Sequence, residues 1–348
     1  MFLSVLLPAL NAEKHLAEAI ASVLGQTHRD FELLILNDGS TDRTLEIAER
    51  FRASDSRIQV ITHGNMGMGA ALNQALEFAA ADWVARLDAD DVMLPNRLER
   101  QLAFVERYPR IAVAGSLVYY IGEDGRVLGA ATSNLATPRD FERQQRNGAP
   151  LALHHPSVMM RKQAVAAAGG YRPAFWPADD FDLWARIAEQ DGLILVQQEY
   201  LTRYRIHGAS VSISAAAQAG RQVRWAKECA ARRRRGQAEP SSKQFLEIEQ
   251  SRPLFARANR HRKDLAKVLF KQALYDHSVG RYLRALAGMS CACVLRPGFA
   301  LPRLYSRFLL PRWRAKFSGP EASGPGPNDA APSGAGLRPA QTATPPMR

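Results

Sequence analysis

Cysteine is scarce in this chain: three residues in 348, Cys229, Cys291 and Cys293, all in the second half. An odd number, with a single residue between the last two, makes neither an even disulfide framework nor the C-x-x-C knuckle of a zinc module. A reducing, cytosolic setting is expected. Long apolar runs are missing too, and none approaches the roughly 20 residues that cross a bilayer. Residues 1–10 are apolar but lack a basic leader and are broken by Pro8, so they read as a first buried strand rather than a signal peptide. Glycine is absent before Asp30 except for Gly25. That removes the glycine-rich, basic phosphate loop a nucleotidyltransferase would need there. Acidic residues thin out toward the C-terminus: residues 1–220 hold 21 Lys+Arg against 26 Asp+Glu, whereas residues 221–320 hold 23 against 6. The two parts are built for different surroundings.

What is present is a series of short apolar runs that end in polar loops. Residues 2–7 stop at Pro8, and Asn11-Ala12-Glu13 then opens a helical pattern with Leu16, Ile20 and Val23 on one face. Residues 31–36 stop at Asn37-Asp38-Gly39-Ser40-Thr41-Asp42, a turn rich in side chains that bond backbone and ligand. A helix near 44–51, a strand at 58–62, a loop at 63–69 and a helix at 70–80 follow. This alternation predicts an α/β fold, Rossmann-like, with a mostly parallel central sheet and flanking helices. Ligands of such sheets sit beyond the carboxyl ends of the strands, where the loops after Leu7, Leu36, Ile61 and Leu87 gather.

The next run, Trp83-Val84-Ala85-Arg86-Leu87-Asp88-Ala89-Asp90-Asp91, ends abruptly in carboxylates. Carboxylates this close repel one another unless a cation lies between them. An all-oxygen donor set suits Mg²⁺ or Mn²⁺, ions that bind through one or two carboxylates plus substrate phosphates. The plainer alternative is a solvated acidic turn before the helix near Pro95. Residues 112–121 then read as a strand and Gly122-Glu123-Asp124-Gly125 as a hairpin turn, while residues 132–150 lack pattern and are expected to line or cover the site. In Leu153-His154-His155-Pro156-Ser157-Val158-Met159-Met160-Arg161 the adjacent histidines have no cysteine or carboxylate at zinc-ligand spacing. A second acidic group, Pro177-Ala178-Asp179-Asp180-Phe181-Asp182-Leu183-Trp184, opens a helical run in which Asp182 is expected to cap the N-terminus.

Taken in order, Ser4-Val5-Leu6-Leu7-Pro8-Ala9-Leu10-Asn11, Ser22-Val23-Leu24-Gly25-Gln26-Thr27, Asn37 to Asp42, Asn65-Met66-Gly67 with Leu72-Asn73, and Arg86 to Asp91 resemble the signatures of family 2 inverting glycosyltransferases. The resemblance is to the bacterial surface-polysaccharide type, with the GT-A fold, and spans about the first 210 residues. It implies that Pro8, Leu10 and Asn11 border the nucleotide base and that Asp38 accepts a hydrogen bond from it. It implies further that Gly67, Asn73 and Arg86 support the sugar and diphosphate, that Asp88 and Ala89 lie beside ribose or sugar, and that Asp90 and Asp91 hold the metal. Asp179-Asp180 stands where the family has a Glu-Asp pair, which makes Asp180 the implied general base and Asp179 the alternative. Leu153 to Arg161 resembles the strand the family places under the acceptor, where His154, His155 and Ser157 fall on the acceptor side or serve structure. Tyr204-Arg205-Ile206-His207 with Ser210 to Ser212 resembles the closing motif, with Arg205 and His207 near the diphosphate and metal, or structural. The implied partners are a nucleotide-sugar donor, UDP first by family habit, and a glycan or polyprenyl-linked saccharide acceptor.

Residues 1–215 are thus the expected GT-A domain, 216–317 a basic helical extension and 318–348 a disordered tail. Within the extension, Leu265, Val268, Leu269 and Leu274, then Gly280, then Tyr282, Leu283, Leu286 and Met289 predict a helical hairpin. Leu301, Leu304, Tyr305, Phe308 and Leu309, ringed by Arg303, Arg307, Arg312, Arg314 and Lys316 and followed by Trp313, predict a helix that rests on an anionic membrane or packs back on the domain. Arg232 to Arg235 is a solvated loop, a lipid contact or a nucleic-acid patch. The basic region has no recognised nucleic-acid motif, and no nucleic acid is expected as a partner. The expected location is cytoplasmic, peripheral on the cytoplasmic face of the inner membrane.

Overall fold

Residues 3–9, 31–38 and 83–86 form wholly buried strands, residues 58–63 a partly buried one, and successive side chains of a strand point to opposite faces. The computed structural model describes residues 1–208 and 215–304. The chain alternates β1 (Leu3–Ala9), α1 (Leu16–Leu24), β2 (Phe31–Asp38), α2 (Thr44–Ser54), β3 (Ile58–His63), α3 (Met68–Phe78) and β4 (Trp83–Arg86). These strands pair in parallel in the order β3-β2-β1-β4. Leu3, Val5, Leu7, Leu33 and Ile35 pack on one face beneath Leu16, Ile20 and Val23 of α1. Leu6, Leu34, Leu36 and Val84 pack on the other beneath Leu72, Ala75 and Leu76 of α3. Two cores, one per face, explain why these strands tolerate no polar side but only polar ends.

The second half is mixed. It comprises β5 (Val92–Met93), α4 (Arg97–Glu106), β6 (Ile111–Ile121), β7 (Val127–Ala130), α5 (Pro138–Arg146), β8 (Met159–Arg161), α6 (Lys162–Ala167), α7 (Asp179–Glu189) and β9 (Leu193–Arg205). β8 joins β4 to β6 by antiparallel ladders, and β9 runs parallel to β6. The carboxyl ends of β1, β2, β4, β6 and β9 therefore share one edge. The chain order reverses between β1 and β4, which opens a crevice there.

From α8 (Ala216–Arg233) onward only helices follow among the described residues: α9 (Ser242–Gln250), α10 (Leu254–Ser278), α11 (Tyr282–Leu295) and α12 (Pro297–Leu304). α10 and α11 form the expected hairpin, turning at Gly280, whose φ of 78° suits glycine. None of the described helices is long and apolar enough to cross a membrane. Most of the expected 301–316 helix, the tail beyond 318 and Ser210 to Ser212 lie outside the described residues.

Three local expectations change. Residues 132–150, read as patternless, contain α5, whose N-terminus is closed by a reciprocal Thr137–Asp140 capping box with Pro138 in the first turn. The segment from Leu153 is not extended throughout: a 3₁₀ turn at His155–Ser157 precedes β8. α1 begins at Leu16 rather than at Asn11, because Asn11 adopts a left-handed φ of 50° and spends its side chain on a neighbouring loop.

Candidate active site

The loops beyond β1, β2 and β3 are tied to one another by side chains that the sequence placed at the nucleotide. Asn11 Oδ1 accepts from the Thr41 N–H at 2.9 Å, and the Asn11 N–H donates to Ser40 Oγ at 3.0 Å. The buried Asp38 carboxylate accepts from the N–H groups of Met66 at 2.8 Å and Gly67 at 3.1 Å, with His63 Nδ1 3.2 Å away. A carboxylate offers about four lone pairs, so these bonds orient Asp38 and leave it acceptor capacity. Pro8 is buried in β1, whereas Leu10 stands exposed beside Asn11 as an apolar lip. Gly67 has φ 86° and ψ 151°, a region essentially reserved for glycine, with open space where a Cβ would stand. Gly67→Ala is expected to cost about 1–3 kcal/mol of backbone strain, measurable as a lowered urea midpoint; an unchanged midpoint would show that the loop relaxes freely.

Beyond β4 the acidic stretch folds around Arg86. This buried guanidinium lies 2.7 Å from Asp88 through Nη2, while Nε and Nη1 have no partner among the described residues. Burial opposes its charge, yet Asp88, Tyr171 and Asp179 hold its pKa above the usual arginine value. Asp88, Asp90 and Asp91 each place a carboxylate oxygen within 4.8 Å of the others. Asp91 is buried; its Oδ1 accepts from the Arg205 N–H at 2.7 Å and its Oδ2 has no partner among the described residues. Burial, then Asp90 and Asp88, push Asp91 well above the carboxylate range, and burial raises Asp88 against the pull of Arg86. The group holds more negative charge than it can stabilise alone. Its chemistry therefore fits a hard divalent cation. Asp88, expected beside ribose or sugar, stands in this group together with Asp90 and Asp91.

His207 approaches Asp90, with Nε2 2.8 Å from Oδ2. Arg205, expected at the diphosphate, is turned inward instead. Nε donates to the Asp90 carbonyl at 2.8 Å, Nη1 to the carbonyls of Gly122 and Glu123 at 3.2 and 3.1 Å, and Nη2 to Glu18 at 2.6 Å. Arg205 thereby clamps the ends of β4, β6 and β9 together and fixes the acidic loop. Its far side is pinned by the Ser22 to Thr27 segment. Gln26 bonds the Leu94 carbonyl and the Leu98 N–H at 2.8 and 3.0 Å, Ser22 Oγ accepts from the Met93 N–H, and the Thr27 N–H reaches the Pro95 carbonyl. Arg97, fully buried, was not anticipated: it donates to the carbonyls of Pro156, Arg86 and Val158 and to Gln101, and burial lowers its pKa to about 9.

The second acidic group begins α7. Asp180 is half-buried, and its Oδ1 accepts from the Phe181 N–H at 2.8 Å. Burial, then the neighbouring Asp179, lifts its pKa to about 7. Asp179 is buried, with Oδ2 unpartnered among the described residues; burial raises it and Arg86 draws it back down. Of the two, Asp180 is the more accessible. Asp182 does not cap the helix. It is fully buried between Arg172 and Arg186, with Arg172 Nε 2.8 Å and Arg186 Nε 3.0 Å from Oδ2.

Neighbouring residues divide into those that face the crevice and those that hold it. Asn73 grips the Tyr171 backbone with both ends of its amide, each bond 2.8 Å, and so braces the approach to α7. His154 Nε2 lies 2.9 Å from Tyr120 Oη, and His155 Nε2 lies 2.7 Å from Tyr171 Oη. Burial drops His154 to about 4 and His155 well below its ordinary value, so both are neutral at pH 7. Ser157 is corrected from the acceptor side: it is fully buried, and its Oγ lies within 2.8 and 3.1 Å of the carbonyls of His154 and Ser116.

The segment before α7 is joined to the helical extension. Arg172 reaches Glu239 at 2.8 Å, and Arg233 of α8 binds Glu239 and Glu189, each at 2.6 Å. Phe175 stacks on Trp225 of α8 with centroids 4.0 Å apart, and Trp225 Nε1 donates to the Pro240 carbonyl at 2.8 Å.

Known proteins resemble this chain in sequence and in fold. Residues 4–168 match the family Glycosyl transferase family 2. The O-antigen biosynthesis glycosyltransferase WbnJ of Escherichia coli is 30% identical over 220 residues, 62% of this chain and 84% of that protein. The chain spans about two thirds of the length of other curated relatives it matches. Among solved structures, TarS residues 1–349 of S. aureus in complex with UDP-GlcNAc superposes with a TM-score of 0.52 at 17% identity, over 91% of this chain and 92% of that one. The mannosyltransferase PcManGT of Pyrobaculum calidifontis, in complex with GDP-Man and Mn²⁺, gives 0.53 at 16% identity, over 92% and 81%. With its sheet order, acidic loop and sequence relatives taken together, the chain belongs to glycosyl transferase family 2 and has the GT-A fold.

Proposed function

We propose that the site transfers a sugar, with inversion, from a nucleotide-diphosphate donor to a hydroxyl of a glycan or polyprenyl-linked acceptor in cell-surface polysaccharide synthesis. The work is placed at the cytoplasmic membrane face. The observation that carries this reading is one sheet edge holding Asp180, poised near pH 7, and the crowded Asp88, Asp90 and Asp91, with buried Arg86 acting on both groups. The donors named with TarS and PcManGT support a nucleotide sugar, with UDP the first choice.

In this reading Pro8, Leu10, Asn11 and Asp38 bound the nucleoside. Gly67 lets backbone approach the diphosphate, while Arg86, Asp88 and Ala89 face the sugar. His154 and His155 border the acceptor as neutral, already bonded imidazoles. Asp180 takes the acceptor's hydroxyl proton as that oxygen bonds to the anomeric carbon and the bond to the diphosphate breaks, so one displacement inverts the centre. Asp90 and Asp91, beside His207, would hold Mg²⁺ or Mn²⁺, which supplies positive charge against the leaving diphosphate. Arg205 serves by keeping Asp90 and Asp91 in place.

Calorimetric titration with UDP, dTDP and GDP, each with Mn²⁺ and with EDTA, tests the donor side. One nucleotide is expected to bind with the ion and to lose at least about tenfold in affinity with EDTA or in Asp90→Asn. Failure of all three to bind would overturn the assignment.

A further inference from the structure

Helix α11 buries its small residues and exposes its large ones. Ala285 and Ala292 are 5% and 0% exposed against α10, and a Cβ on Gly288 would stand 3.1 Å from that of Ala273. Leu283, Leu286 and Val294 are 86%, 66% and 82% exposed, and their spacing puts them on one face. A helix facing water has the opposite pattern. Small residues at the helix contact with large apolar ones outside is how helices pack in lipid. Only Arg284 is charged within α11.

The surroundings of this face are basic. Residues 254–304 contain ten Lys+Arg against Asp264 and Asp276 alone. Asp264 is paired with Arg224 and Asp276 is buried, so negative charge is withdrawn from the surface. Arg281 and Arg284 stand exposed at one end of α11, and Arg262, bonded to the Leu295 carbonyl, stands at the other. A second copy seated here would set one basic surface on another. Residues 305–316 of the same chain carry four Lys+Arg and no acid, and would add charge of the same sign.

We infer that α11 lies in the interface plane of an anionic bilayer, with Leu283, Leu286 and Val294 at the acyl boundary and Arg262, Arg281 and Arg284 among the headgroups. This deepens the membrane-side placement proposed above, and moves the anchor from the expected 301–316 helix to the hairpin. It uses no residue assigned to donor or acceptor.

The test is sedimentation of the full chain with phosphatidylcholine vesicles and with vesicles that also contain phosphatidylglycerol. The same samples are examined by light scattering and by UDP titration. Wild type is expected to partition at least about tenfold more onto the anionic vesicles. Leu283→Ser/Leu286→Ser/Val294→Ser is expected to lose about tenfold or more of that partition while remaining folded. Arg281→Glu/Arg284→Glu, which leaves the apolar face intact, should lose the preference for anionic lipid. UDP binding unchanged across the variants separates this result from the donor assignment. A serine variant that partitions like wild type overturns the inference. So does a wild type with no lipid preference, or one that is a dimer split by the serine changes.

Discussion

Asp180→Asn is expected to cut turnover about a hundredfold or more, the range a general base supplies, while nucleotide binding persists. The substitution keeps size and the bond to the Phe181 N–H but removes the proton acceptor. With a pKa of about 7, Asp180 gains its catalytic charge as pH rises through neutrality. The acid limb of kcat/KM should therefore fall near pH 7 in wild type and vanish in the variant. Asp179→Asn supplies the contrast: it removes one of the charges that raises Asp180, so the acid limb moves to lower pH while the base survives. If Asp179→Asn is the dead enzyme and Asp180→Asn the active one, the two roles are exchanged.

The elevated Asp180 pKa also acts on stability. Its folded value, about 7, exceeds the ordinary 3.8. Between those values the folded chain holds a proton that the unfolded chain has lost. This group's contribution therefore weakens as pH rises from about 4 to 7. Asp180→Asn should remove that slope and raise the urea midpoint at neutral pH, the opposite direction to its effect on turnover.

Asp182→Ala is the second large effect. Removing one member of a buried ion pair costs about 3–5 kcal/mol because the other is left uncompensated. Here the loss strands two arginines at once. Part is recovered, since Arg172 keeps Glu239 and the ring of Phe175, and Arg186 keeps the carbonyls of Ala168 and Gly170. A loss of about 3 kcal/mol, the lower end of that range, is expected from urea unfolding. Turnover should fall with it, because the same helical turn carries Asp179 and Asp180. A variant within about 0.5 kcal/mol of wild type, the scale of an ordinary surface substitution, would mean that the triad is dispensable.

The parallel half of the sheet was legible because its strands are apolar runs with polar endings, a local signal. The acidic loop was legible for the same reason: Asp88, Asp90 and Asp91 are neighbours in sequence before they are neighbours in space. Helix α5 escaped because Phe141 is its only large apolar residue, leaving the Thr137–Asp140 cap with no period to precede. The holding residues escaped for another reason. Glu18 and Arg205 are separated by 187 positions, and Arg97 and Pro156 by 59, so nothing local marks them as partners. The order of burial at Asp179 and Asp180 depends on where α7 starts, and one residue of register decides which carboxylate is the more accessible.

The stack of Phe175 on Trp225 and the chain from Arg172 through Glu239 to Arg233 bear on how such enzymes exchange parts. A crossover near residue 215 would look conservative, since it separates the α/β half from a purely helical one. It would nonetheless give the loop that precedes Asp179 a foreign backing: a recipient without the tryptophan and the glutamate leaves Phe175 bare and Arg172 short of a partner. A helical half grafted at that point must therefore carry these two contacts along or re-create them.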